Sequence, residues 1–123
     1  MDGFYAAFLT GRGGNAIVLF VIKSTVLVGV DAGGLKYDGS VQPLPDGGYH
    51  FKLRYIVQPG TQLITGMGSV GTPTPIQLDF IAPSDFASGV IITIQTPLGP
   101  VNAKLTKLRD LDLPDRPPRP ADG

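Results

Sequence analysis

The chain has neither cysteine nor glutamate among its 123 residues, and each absence narrows what it can be. Without cysteine it has no disulfide, no thiolate-ligated zinc and no reactive thiol, which is compatible with a reducing compartment. Glutamate favours helices, so its absence beside 17 glycines and 12 prolines predicts strands and turns rather than helices.

An excess of charge of either sign is also missing, since 10 basic residues balance 10 acidic ones. Broad nucleic-acid binding needs a basic face, so we expect no nucleic-acid partner. The start, Met1-Asp2-Gly3-Phe4, lacks the basic opening and long apolar core of a signal peptide. The longest apolar run, residues 16–22, is shorter than the ~20 residues of a membrane helix. We therefore expect a cytoplasmic protein with no membrane partner.

Short runs rich in valine, isoleucine, threonine, tyrosine and phenylalanine recur between glycine, proline and aspartate. The strand candidates are residues 3–10, 15–23, 25–31, 34–42, 48–57, 61–70, 75–82, 88–96 and 100–106. Strands at nearly even spacing predict an all-β antiparallel barrel of about eight strands in one domain.

Two segments depart from the strand pattern. Residues 82–88 predict one short helical turn, because Pro83 suits a first helical position and Ser84 or Asp85 can cap it. Residues 109–123 are dense in proline and charge, which predicts an extended or disordered tail after a barrel domain of residues 1–108.

No catalytic, metal or cofactor site emerges from the sequence, and we expect the protein not to be an enzyme. His50 is the only histidine, and the aspartates are scattered over turns and strand exteriors. His50, Lys52 and Arg54 alternate with apolar residues and predict a basic stripe on a strand exterior. Such a stripe could meet a phosphate or an acidic partner, although ordinary barrel exteriors have the same composition.

Several aromatic residues fall on the apolar side of their strands. They are the candidates for the lining of a cavity: Tyr37, Tyr49, Phe51, Tyr55 and Phe80. A small barrel either fills its interior with such rings or leaves a pocket among them for an apolar ligand.

The segments 16–22 and 26–30 are apolar on both faces, so their outer faces need a cover. A second subunit is a natural cover, and we expect a homodimer. The interface candidates are Val18, Phe20 and Val28, while the helical turn at residues 82–88 is an alternative cover.

The N-terminal third contains Asp2-Gly3-x-Tyr5-x-x-Phe8, then Gly29-x-Asp31, then Tyr37-x-Gly39. This pattern resembles the opening of the GrlR-type negative regulators of type III secretion. The resemblance implies a lipocalin-like (calycin-like) barrel, a homodimer, an apolar cavity and sequestration of a transcriptional activator. The regulators engage the activator through an acidic loop, whereas the matching residues 42–48 here contain one acid, Asp46.

Two functions follow as expectations. The first is a non-enzymatic binding or regulatory barrel that acts through protein contacts. The alternative is a lipocalin-like carrier of a small apolar ligand held in the barrel interior.

Overall fold

The computed structural model describes residues 1–61, 66 and 71–111, which form eight antiparallel strands. The strands are β1 (Gly3–Gly11), β2 (Gly14–Lys23), β3 (Val26–Asp31), β4 (Lys36–Pro43), β5 (Tyr49–Val57), β6 (Thr74–Ala82), β7 (Ser88–Thr96) and β8 (Gly99–Arg109). They confirm the predicted all-β class and correspond to eight of the nine strand candidates. The ninth, residues 61–70, lies almost entirely outside the described residues, as does the predicted tail from residue 112 onward.

One sheet contains all eight strands in the order β6-β5-β4-β3-β2-β1-β8-β7. β1 pairs with both β2 and β8, and the short turn between β6 and β7 joins the two edges of the sheet, so the sheet curls into a nearly closed barrel. The sheet's two edges, β6 and β7, meet side by side at a seam without a ladder between them. Pro75 on β6 has no backbone N–H to offer, and β7 has a register shift around Gly89.

The barrel has two distinct ends. The end that contains Asp31, here the Asp31 end, holds the β1–β2, β3–β4 and β7–β8 connections, the last residue of β5 and the first of β6. The opposite end, here the Phe86 end, holds the β2–β3, β4–β5 and β6–β7 connections. Alternation along each strand sends one set of side chains inward, as β5 illustrates. Phe51 is buried there while Lys52 and Arg54 are exposed.

Gly39 shows how closely the strands approach inside the barrel. It occupies an inward position of β4 between Leu27 and Leu53 of the flanking strands. A Cβ atom there would collide with the carbonyl oxygen of Lys52, so no larger residue fits without moving the backbone.

The predicted helical turn at residues 82–88 is wrong. Phe86 N–H donates to the Pro83 carbonyl at 3.1 Å, and Ser88 N–H donates to that of Asp85 at 2.9 Å. These two bonds close successive turns, but they are not the consecutive bonds of a helix. The segment reverses the chain between β6 and β7 and sends the Phe86 side chain into the barrel, where it is 4% exposed.

Phe86 joins an aromatic cluster that closes this end of the interior. Its ring centroid lies 5.7 Å from that of Tyr5, 5.2 Å from Tyr49 and 5.3 Å from Phe51. Tyr5 stacks in turn on Phe20, and its hydroxyl donates to the Met1 carbonyl. Three ring contacts on one loop residue tie the β6–β7 turn to the core.

We expect Phe86→Ala to lower the free energy of unfolding by about 3–5 kcal/mol, because it leaves a void among three rings. Urea denaturation would measure this loss. The matched control is Ile81→Ala, since Ile81 is 65% exposed at the end of β6 and should change stability little. Equal effects of the two substitutions would contradict the assigned role of Phe86.

Candidate functional site

The barrel interior is not filled along its whole length. A cavity of about 170 Å³ runs from the inner rings of the aromatic cluster to loop residues at the Asp31 end. Three inward residues of the cavity wall, on β1, β2 and β8, are alanines and leave space beside them: Ala7, Ala16 and Ala103. Leucine or phenylalanine in those places would occupy much of this space.

The wall of the cavity is mostly aliphatic and aromatic. Four of the five predicted cavity residues line it, namely Tyr37, Phe51, Tyr55 and Phe80. Tyr49 lies outside it, because its ring packs edge-on against Phe86 at the opposite end. The wall is completed by Leu9, Val18, Phe20, Leu27, Leu35, Leu53, Val57, Thr61, Leu78, Ile94, Thr96, Leu98, Val101 and Leu105.

One charged side chain, Asp31, belongs to this lining within the described residues. It is the last residue of β3 and lies on the inward face of that strand, as do Leu27 and Gly29. Its Oδ1 accepts hydrogen bonds from the backbone N–H groups of Gly33 and Leu35, both at 2.9 Å. As expected from its position before a turn, the carboxylate therefore organises the β3–β4 connection.

One tyrosine contacts this carboxylate, and a second packs against the first. The Tyr37 hydroxyl donates to Asp31 Oδ2 at 3.3 Å, and the Tyr37 and Tyr55 ring centroids are 5.1 Å apart. Burial raises the pKa of Tyr37 well above its ordinary 10.0, and the Asp31 charge raises it further. Burial also raises the pKa of Tyr55. Asp31, Tyr37 and Tyr55 together form the polar cluster of the cavity.

The predicted dimer-interface residues on β2 are wrong, because they lie on its inward face. Val18 and Phe20 are 5% and 6% exposed and line the cavity, so they cannot meet a second subunit. Val28 faces outward and is 48% exposed. The outward side chains of β1, β2 and β3 together form an apolar face: Phe4, Phe8, Ile17, Leu19, Val21, Val26, Val28 and Val30.

The predicted basic stripe faces solvent on β5. Lys52 and Arg54 are exposed, whereas His50 is partly covered and its Nε2 contacts Asp79 Oδ1 on β6. Asp79 is also the register partner of Lys52, so the acid lies within the stripe and reduces its net positive charge. Within residues 1–61, 66 and 71–111, no group of three or more potential ligands could hold a metal ion.

Sequence reasoning missed Phe86 and the inward position of Asp31. Both had a signal. An isolated phenylalanine in a turn of proline, serine and aspartate is costly to expose, and Asp31 lies on the same inward face of β3 as Leu27 and Gly29.

The described part of the chain contains no helix with the length and hydropathy needed to span a bilayer.

No protein-family model matches the chain, and the comparisons with curated proteins and with solved structures found no match. The resemblance of the first forty residues to the GrlR-type regulators therefore stays a prediction.

The raised pKa of Tyr37 predicts a loss of stability in alkali. The unfolded chain ionises this phenol near pH 10, whereas the folded protein keeps it protonated, so stability is complete below that pH and falls above it. Tyr37→Phe should make this fall shallower. Denaturant unfolding between about pH 9 and about pH 12 would measure it. An unchanged slope in the variant would contradict the buried, protonated state of Tyr37.

Proposed function

We propose that the protein is a non-enzymatic binding barrel that holds a small apolar ligand in its interior. The observation that carries this proposal is the cavity of about 170 Å³ with its aliphatic and aromatic wall. Its volume is close to that of an engineered cavity that binds benzene, which sets the size class of the ligand.

The energetic cost of the cavity supports a binding role. At about 24 cal/mol per Å³, an unfilled space of this size lowers stability by about 4 kcal/mol relative to a filled core. That is a large share of the 5–15 kcal/mol typical of a domain. A ligand in the cavity would restore the missing contacts, and its binding would stabilise the folded state by mass action.

The β4–β5 connection matches the loop through which GrlR-type regulators engage their activator, but its residues give little support to activator binding. The β4–β5 connection contains the single acid Asp46, whose carboxylate accepts a hydrogen bond from the Gly48 backbone N–H at 2.9 Å. One acid that also forms a local turn supplies little charge for docking a basic partner. This difference favours the ligand-binding role over the sequestration of an activator.

A second proposed function, self-association into a homodimer, is supported by the apolar face. Its seven most exposed side chains are 41–57% accessible and present roughly 600 Å² of apolar surface, the upper end of what monomers show. A typical stable interface takes about 800 Å² from each partner, so the apolar face and its rim are of the right size.

The charges at the rim of the apolar face favour a second copy as the occupant. One row across the sheet reads Arg109, Phe4, Val21, Val28 and Asp38 on five adjacent strands. A two-fold axis along β2 would bring each Asp38 opposite the partner's Arg109. Neither residue has an ion pair with another described residue, although Arg54 lies beside Asp38 in register.

The cavity predicts specific binding of propylbenzene, followed by chemical shifts of the inward methyl groups. Ala103→Leu should fill the space and weaken binding at least about tenfold while changing stability by no more than about 1 kcal/mol. Thr106→Leu, on the outward face of the same strand, is the control and should bind as the parent does. Equal binding of propylbenzene by the parent protein and by Ala103→Leu would refute the assignment of the ligand site to this cavity.

The apolar face predicts a dimer in sedimentation at tens of micromolar. Leu19→Glu, at the centre of the face, should give a folded monomer, because it would bury unpaired charges in the interface. Ile91→Glu is the matched control, since Ile91 is 72% exposed on β7, away from this face. A monomeric parent protein, or dissociation by both substitutions, would contradict the proposed interface.

A further inference from the structure

The polar cluster narrows the ligand class further, and this inference rests on the proposed ligand-binding function. The two oxygens of Asp31 have different surroundings. Oδ1 accepts two backbone hydrogen bonds at 2.9 Å, whereas Oδ2 accepts a single long one from Tyr37 at 3.3 Å. Asparagine could accept the same two backbone bonds, so the turn does not require the negative charge.

The charge of Asp31 also lacks a counterion in the described part of the chain. Neither of the two ion pairs there involves Asp31. Lys36 is close in sequence, but it projects from the outward face of β4 and is exposed, while Leu35 and Tyr37 line the cavity. A carboxylate that borders an apolar cavity without a cation attracts one from a ligand.

The two tyrosines complete a site for a cation. Their rings are tilted by 46° with centroids 5.1 Å apart, both line the cavity, and Tyr37 contacts the carboxylate. Both phenols are neutral at neutral pH, since burial only raises the pKa of each further above 10.0, and neutral rings offer their negative faces to a cation. The Tyr55 hydroxyl has no hydrogen bond with a described residue, so it can accept one from a ligand.

We infer that the ligand is a compact apolar molecule with one protonated amine at its end. The ammonium group contacts Asp31 Oδ2 and the faces of Tyr37 and Tyr55, and the apolar body lies in the cavity toward Phe51 and Phe80. This orientation satisfies the carboxylate and leaves the aliphatic wall in contact with apolar atoms.

Four probes with one body and different heads test this inference: phenethylamine, 2-phenylethanol, 3-phenylpropanoate and propylbenzene. Titration calorimetry of the parent protein near neutral pH should give phenethylamine an affinity at least about tenfold above that of propylbenzene, the gain of one charge-assisted hydrogen bond. The alcohol should fall between them, and the carboxylate should bind weakest because Asp31 repels it.

Two matched substitutions locate the effect. Asp31→Asn keeps an acceptor for the turn and removes the charge, so it should abolish the preference for the amine and leave propylbenzene binding unchanged. Asp46→Asn likewise keeps an acceptor for its turn and removes the same charge at the opposite end of the barrel, so it should preserve the preference. Thermal unfolding of both variants checks that each is folded.

The outcomes separate this inference from the proposed function. Equal binding of amine, alcohol and propylbenzene by the parent protein would overturn the inference and leave the apolar cavity site intact. A preference for the amine that survives Asp31→Asn would overturn it as well. If none of the four probes binds, the ligand-binding function itself fails, and the inference fails with it.

Discussion

The pairing of β1 with β8 is the constraint on which the rest of the structure depends. It joins the first strand to the last and, together with the short β6–β7 turn that ties the two edges of the sheet, forces the sheet to curve, so that one face becomes an interior. Once the sheet is curved, the parity of each strand decides which side chains meet. On β2, Val18, Phe20 and Ile22 turn inward, while Ile17 and Leu19 remain outside. The cavity and the apolar face therefore lie on opposite sides of the same strands.

The inward side chains are large at one end of the barrel interior and include small ones at the other. Large rings from β1, β2, β5 and the β6–β7 turn fill the Phe86 end, while alanines on β1, β2 and β8 leave the other end hollow. The packed rings at the Phe86 end fix the positions of the strands that carry the cavity wall. The polar cluster lies at the hollow end, where the loops supply backbone N–H groups to hold its carboxylate.

The sequence was sufficient to predict the fold because alternation is a local signal. The inward rings of Phe51 and Tyr55 follow from a period of two, as do the exposed Lys52 and Arg54. On β2 both parities are apolar, so alternation could not tell Val18 and Phe20 from Ile17 and Leu19. The side that faces inward there is set by pairing with β1 and β3, which is not local. The turn at Pro83 was misjudged because capping signals for helices and for β-turns use the same residues.

The seam between β6 and β7 limits how copies of this protein can assemble. An open strand edge invites another strand, and repeated addition gives filaments. Here Pro75 interrupts the donors of one edge, the irregularity at Gly89 distorts the other, and the two edges lie against each other. Growth by strand addition is thus obstructed at both edges. An association through the apolar face uses up that face in both copies, so it would end at a closed pair and not continue into a polymer.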